Sequence, residues 1–277
     1  MPGLSACPSG RESATVVAEE ATRGSEVSSR AYPWWPVYFD CHTHIFPPRR
    51  LTGLMRWIHR AGHDHQVPVD ITPDEAVADL RGAGAARWMN LLFPLAAGEA
   101  AELHRWGAEL AERVPEITPI GGVHIEDPDP LAVVQEAVEA HGMAGLKFHP
   151  MVQRFVPWDP ALEAALDYVE ARGLPVYVHT GYDDWYGWHL PREGLEDMLA
   201  RRPGMPVVLP HIGFPDLEWG FGLADRFPHV FLDLTNVPGS VIFDPDGWEE
   251  ALAAFRTGVS RHRDRVLMGT DYPAGMG

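Results

Sequence analysis

The sequence is poor in cysteine and in basic residues, and it has no long apolar run. Two cysteines, Cys7 and Cys41, cannot build a disulfide framework, so the fold must hold without covalent staples and a reducing compartment is expected. No apolar stretch approaches the ~18 residues needed to cross a bilayer, so no helical membrane span is expected. Only 22 Lys and Arg stand against 39 Asp and Glu, a formal charge of −17. Such a chain repels phosphate backbones. No basic cluster exceeds Arg49-Arg50 or the spaced Arg261, Arg263 and Arg265, so nucleic acid is not an expected partner. Residues 1–35 lack a sustained apolar period and are expected to form a weakly ordered tail. Leu4-Ser5-Ala6-Cys7 resembles a lipoprotein cleavage site, but no apolar stretch precedes it, and a cytoplasmic chain is expected.

What is abundant is histidine, with 14 residues, and tryptophan, with 10. From Val37 onward, short apolar runs bounded by Gly, Pro and Asp alternate with amphipathic stretches. The runs are Val37–His44, Arg87–Phe93, Ile117–His124, Ala144–His149, Pro175–Thr180, Pro206–His211, Val230–Thr235 and Arg265–Thr270. They read as buried parallel strands. Pro73-Asp74-Glu75, Asp129-Pro130 and Asp159-Pro160 open helices, and Gly142 and Gly173 end them. Eight strands alternating with helices predict an α/β protein closed as a distorted (β/α)8 TIM-like barrel spanning 36–277. A doubly wound sheet is disfavoured because no Gly-rich phosphate loop follows the first strand. The chain stops soon after Asp271, so the helix that should follow strand 8 is expected to be missing.

In such a barrel the loops at the C-terminal strand ends converge on one mouth. Reactive residues fall at those ends: Asp40, His42 and His44 on strand 1, Lys147 and His149 on strand 4, His179 on strand 5, His211 on strand 6 and Asp271 on strand 8. The i, i+2 spacing of His42 and His44 puts both imidazoles on one face of a strand. With His179 and the Asp271 carboxylate they form a donor set suited to Zn2+, Fe2+ or Mn2+. Asp40 shares their parity and is a candidate to orient a ligand. A lone His-x-His is weak in a chain with this much histidine; it is the joint pattern that points to a metal. His124 ends strand 3 without a motif and reads as structural. His59, His63, His65, His104, His141, His229 and His262 fall between strands, where surface placement is the default.

Two segments can shape the pocket. Ile45–Thr72 is long for a barrel loop and carries Arg49, Arg50 and Trp57. Tyr182–His189 brings Tyr182, Trp185, Tyr186 and Trp188 beside the expected metal, which suits a planar or apolar ligand or, equally, a covering role. Arg49 or Arg50 suits a substrate carboxylate.

Taken together, Asp40-Cys41-His42-Thr43-His44, Gly145-Leu146-Lys147-Phe148-His149-Pro150, Pro175–Gly181, Leu209–Gly213 and Met268–Pro273 resemble the amidohydrolase superfamily. More narrowly, they resemble its amidohydrolase-related branch of aminocarboxymuconate-semialdehyde decarboxylase-like enzymes. The resemblance covers roughly 37–273. It implies a metal enzyme with His42, His44, His179 and Asp271 as ligands, Asp271 and His211 as catalytic groups, and His149 at the substrate, beside the Trp185 and Arg49 that the two pocket segments bring there. It also implies that Lys147 and His211 would serve a second metal if two are held; one metal, most simply zinc, is the expectation. The reaction expected is hydrolysis of a small amide, ester, thioester or lactone by metal-activated water. Loss of CO2 from an aromatic or unsaturated carboxylate is the alternative, and a metal-binding barrel without turnover the second. A homodimer is expected if the missing last helix leaves apolar barrel surface uncovered.

Overall fold

The structure is a computed structural model that describes residues 37–60, 65–238 and 248–275. Among the described residues eight short strands carry the fold: β1 (Tyr38–Thr43), β2 (Ala85–Leu91), β3 (Ile117–Ile120), β4 (Leu146–Phe148), β5 (Val176–Val178), β6 (Val207–Pro210), β7 (Val230–Asp233) and β8 (Val266–Leu267). Every pairing is parallel, in the orders β1-β2-β3 and β4-β5-β6-β7-β8. Backbone hydrogen bonds bridge the two seams between these sets. Gly121 N donates to Gly145 O at 3.0 Å and Lys147 N to Gly121 O at 2.7 Å. On the other side Cys41 N donates to Met268 O at 2.8 Å, Asp271 N to His42 O at 2.8 Å and His44 N to Tyr272 O at 2.7 Å. The strands thus run in chain order around a TIM-like barrel, and the seam between β8 and β1 is made by the same backbone that carries the expected ligands.

The helices are α1 (Pro48–Arg60), α2 (Pro73–Gly82), α3 (Glu99–Arg113), α4 (Pro130–Glu139), α5 (Pro150–Gln153), α6 (Glu163–Ala171), α7 (Arg192–Arg201), α8 (Leu217–Arg226) and α9 (Trp248–Arg261). Their starts follow the sequence signals. Thr72 and Glu75 form a reciprocal capping box at α2, and Asp129 accepts from Ala132 N at α4. Asp159 caps a 3-10 turn, Pro160–Leu162, that leads into α6. Gly142 and Gly173 take left-handed φ values of 64° and 61°, where a side chain would be strained. Among the described residues no helix follows β8, and none is long and apolar enough to cross a membrane.

Two expectations are corrected. The long stretch after strand 1 is not simply a loop: α1 occupies its first half, burying Leu51, Met55 and Ile58 on one helical face. Nor are the histidines outside the strand ends uniformly on the surface, for His65, His104 and His262 are buried. Each has a local reason. His104 Nε2 lies 2.9 Å from Gly122 O, in space that exists because a Cβ on Gly121 would meet the ring. His65 bonds Gly275 O, and His262 stacks on Phe221 beside Asp225. His124, as expected, serves a turn: its backbone N–H donates to Asp127 and its Nδ1 accepts from Glu126 N. His63 and the tail through residue 36 lie outside the described residues.

Between β6 and α8 the chain makes a turn in which His211 and Ile212 are both left-handed, at φ 64° and 52°. Conformations of this kind cost roughly 1–3 kcal/mol per non-glycine residue and persist only where packing fixes them. α8 supplies that packing, because Gly220 sits against the Ile212 carbonyl and a Cβ there would collide with it. Gly220→Ala is therefore expected to destabilise the fold by about 1–3 kcal/mol, as overpacking typically does. A thermal unfolding midpoint equal to that of the parent chain would contradict this account of the turn.

Candidate metal centre

β1 alternates its side chains so that Asp40 and His42 face inward, with His44 next in register just past its end. His42 Nε2 and His44 Nε2 lie 3.0 Å apart. Asp271 Oδ1, brought round by the turn after β8, is 3.2 Å from each. Among the described residues these three form the one group whose donor atoms all lie within 4.8 Å of one another. Asp271 and Asn236 are also left-handed, at φ 62° and 63°, so with His211 three strained residues line the site.

Hydrogen bonds fix the imidazole tautomers. His44 Nδ1 donates to Leu91 O at 2.8 Å, and His211 Nδ1 donates to Thr235 O at 2.8 Å; a carbonyl only accepts, so in the neutral rings the Nε2 lone pairs are left free. His42 Nδ1 donates to the Asp233 carboxylate at 2.6 Å, which likewise aims its Nε2 lone pair at His44 and Asp271. Two lone pairs and an anionic oxygen at such range repel unless a positive charge stands among them. A proton can do so, and so can a metal ion. Donors about 2.0–2.2 Å from a shared ion span the observed separations at angles near or somewhat above a right angle. The residues fit a divalent metal.

The electrostatics agree. Burial raises the Asp271 carboxyl, but the charges and hydrogen bonds of His42 and His44 outweigh it and hold the group well below the usual range, hence ionised. Burial and Lys147 push His42 down, while Asp233 and Asp271 more than restore it, so its net shift is upward. His44 is lowered, chiefly by burial. Burial drives His211 to about 4, so it is neutral, and its buried Nε2 has no partner. Lys147 is wholly buried with an unpartnered Nζ, and burial lowers it to about 8.

His179 stands apart from the tight group. It stacks on His149 at 3.7 Å between ring centroids and lies 4.4 Å from the His211 ring. His149 and His179 each keep a buried Nδ1 without a partner, and the Tyr186 hydroxyl lies 3.4 Å from His149 Nε2. Above this floor opens a cavity of about 570 Å³, within the span of small-molecule sites. Arg49, Trp57, Phe93, Trp185, Tyr186 and Val237 are among its lining residues. Arg49 is exposed at the rim; Arg50 is half-buried, its guanidinium 5.3 Å from the Phe46 ring centre and 5.9 Å from Phe93. Arg50 is thus the better-placed cation.

Asp40 does not orient an imidazole. Its carboxylate accepts from His42 N at 3.0 Å, Thr270 N at 3.1 Å and Thr270 Oγ1 at 2.6 Å, tying the backbone of β1 to the turn after β8. The ring-orienting carboxylate is Asp233, at the end of β7, a residue that sequence reasoning missed. Its strand-end position was the available signal, since every other reactive residue was found by that rule. Thr235 donates to it through both backbone and hydroxyl.

The sequence model of the amidohydrolase family matches residues 39–274, from the start of β1 to the turn that carries Asp271. The chain belongs to the amidohydrolase family. A search of curated proteins finds no significant match. Solved structures are similar in fold. A TIM-barrel protein of Bordetella bronchiseptica is 20% identical, with 86% of this chain and 88% of that one aligned at a TM-score of 0.63. A 5-carboxyvanillate decarboxylase of Novosphingobium aromaticivorans, solved with manganese and a nitrobenzoic acid, is 14% identical over 87% of each chain at 0.59. A probable 2-pyrone-4,6-dicarboxylic acid hydrolase of Acinetobacter baumannii, with citric acid bound, is 15% identical over 86% and 85% at 0.57. The amidohydrolase family thus sets the barrel and the class of site, and the reaction has to be read from the residues.

The buried Asp233–His42 pair yields a prediction. Burial raises the Asp233 carboxyl, but the His42 charge and hydrogen bond bring it down to about 2. Its folded value lies below its unfolded one, so the unfolded chain binds more protons and stability rises with pH across the interval. Metal-free protein should lose stability as pH falls from about 4 to about 2. Asp233→Asn should flatten that acid limb and weaken divalent-metal binding about 10–100-fold by calorimetry. Unchanged metal affinity would remove Asp233 from the site.

Proposed function

We propose that this chain is a metal-dependent hydrolase of a small carboxylate-bearing ester, amide, thioester or lactone. The observation that carries the reading is the convergence of His42 Nε2, His44 Nε2 and Asp271 Oδ1 on one buried point at the floor of an apolar cavity. His42, His44 and Asp271 would hold a divalent ion, with His179 the further donor expected from the sequence, and the ion would supply Lewis acidity there; zinc and manganese both suit the donors. One ion is the simpler reading, because His211 does not belong to the tight group.

The chain's own groups divide the proton work. Asp271, ionised and steadied by Asn236 Nδ2 at 3.1 Å, accepts a proton from the attacking water as its oxygen adds to the substrate carbonyl carbon. His211 offers an acceptor Nε2, so in its neutral form it does not polarise a carbonyl. It takes over the proton that Asp271 accepted from water and delivers it to the leaving atom as the C–O, C–N or C–S bond breaks. Such general acid–base work is typically worth about 10²–10⁴-fold. Arg50, with Arg49 at the rim, suits the substrate carboxylate.

A second reading, non-oxidative decarboxylation, draws support from the apolar lining and from the half-buried Arg50. There the bond from carbon to the carboxylate breaks, its electron pair stays on carbon, and a proton drawn from solvent reaches that carbon through Asp271 or His211. The decarboxylase among the similar structures makes this a natural comparison.

Protein reconstituted with zinc or manganese is expected to hold about one ion per chain, and His42→Ala to hold little. Asp271→Asn is expected to lower kcat at least about 100-fold on any substrate found, with circular dichroism unchanged. A panel of lactones, esters, thioesters and aromatic carboxylates, assayed for both hydrolysis and CO2 release, separates the two readings. Full activity in Asp271→Asn would overturn both.

A further inference from the structure

The mouth of the cavity is spanned from two sides. Leu54, Trp57 and Ile58 form one stripe of α1 that lines it, and the 3-10 turn Asp184–Tyr186 lines it from the β5 side. The two sides meet through indoles: the Trp57 and Trp185 ring centroids are 4.3 Å apart at 42°. Trp185 in turn stacks on Tyr186 at 4.7 Å and 18°, and Tyr186 stands edge-on to His149 at 5.4 Å. A run of aromatic faces therefore leads from the rim to the histidines. The turn is held in place below the indoles, where Arg154 donates to the Tyr186 carbonyl at 2.8 Å. Buried Leu51, Met55 and Ile58 likewise anchor α1 to the barrel. The two supports are fixed, yet Trp57 and Trp185 remain 36% and 37% exposed. Large aromatic surface left to solvent at a pocket mouth gains on burial by an apolar ligand, and flat faces favour offset or edge-on stacking.

We propose that Trp57 and Trp185 are the specificity-determining residues, selecting a substrate whose carboxylate end reaches the floor and whose far end is a flat apolar body longer than a single ring. The floor sets the chemistry and the indole roof sets the length. This assignment rests on the small-carboxylate reading of the site, and it concerns a part of the cavity that the metal ligands do not touch.

Calorimetric titration of the full-length, metal-loaded protein with benzoate and with biphenyl-4-carboxylate tests it. The longer acid is expected to bind about tenfold or more tightly than benzoate, the gain that follows from burying one further ring face. Trp57→Ala and Trp185→Ala should each erase most of that preference while leaving benzoate affinity within about threefold, and Trp57→Phe should keep it. Equal affinity of the two acids in the parent protein, equal losses for both in the alanine variants, or binding of neither acid would overturn the assignment. Metal content measured on the same samples keeps the two claims apart. A preserved length preference without a bound ion defeats the metalloenzyme reading alone, and a bound ion without the preference defeats the roof alone.

Discussion

Asp233 on β7 and His42 on β1 are both wholly buried, and the 2.6 Å hydrogen bond between them is the contact from which the rest of the site is built. Either group alone in that position would be costly to bury, and together they satisfy one another. The bond fixes the His42 ring with its Nε2 turned inward. The His42 carbonyl meanwhile accepts from Asp271 N, so the residue that presents the first donor also pins the turn that presents the third. His44 is locked by Leu91 O at the end of β2. Four strands or strand ends are thereby committed to one small volume. The left-handed backbone at His211 and Asp271 is the conformational cost of pointing their side chains into it.

The same volume concentrates ionisable groups away from water. Burial alone would neutralise all of them; which ones stay charged is decided by the pairs. Asp271 and Asp233 remain anionic because imidazoles face them, whereas His211 and Lys147, with fewer compensating partners, are driven toward their neutral forms. The outcome is a buried floor where two carboxylates, the Lys147 amine and imidazole lone pairs are gathered close together. Such a donor set suits a cation, and apolar aromatic side chains line the cavity above it.

Much of this was legible in the chain. The eight apolar runs bounded by Gly, Pro and Asp became the eight strands because burial on both faces leaves a parallel strand no polar alternation to show. His42, His44 and Asp271 could be picked out because strand parity and strand-end position are local properties. Asp233 was hidden by its surroundings: a single Asp after Val230-Phe231-Leu232 looks like an ordinary strand terminus, and only its side-chain contact with His42 of β1 gives it a role. Asp40, by contrast, had the right parity and the wrong partner, because parity specifies a face and not a contact. α1 was obscured by its Pro-Arg-Arg start, which has no acidic first turn. The burial of His104 depends on the missing side chain of Gly121, a contact between distant segments that no local pattern encodes.

The proposed function stands on one divalent ion held among His42, His44 and Asp271. X-ray absorption spectroscopy on the zinc-reconstituted chain tests it most directly. The account predicts an N/O first shell with outer-shell scattering from at least two imidazoles, and loss of imidazole scattering in His44→Ala. A spectrum showing oxygen neighbours without imidazole scattering, in protein that is folded and zinc-loaded, would contradict it.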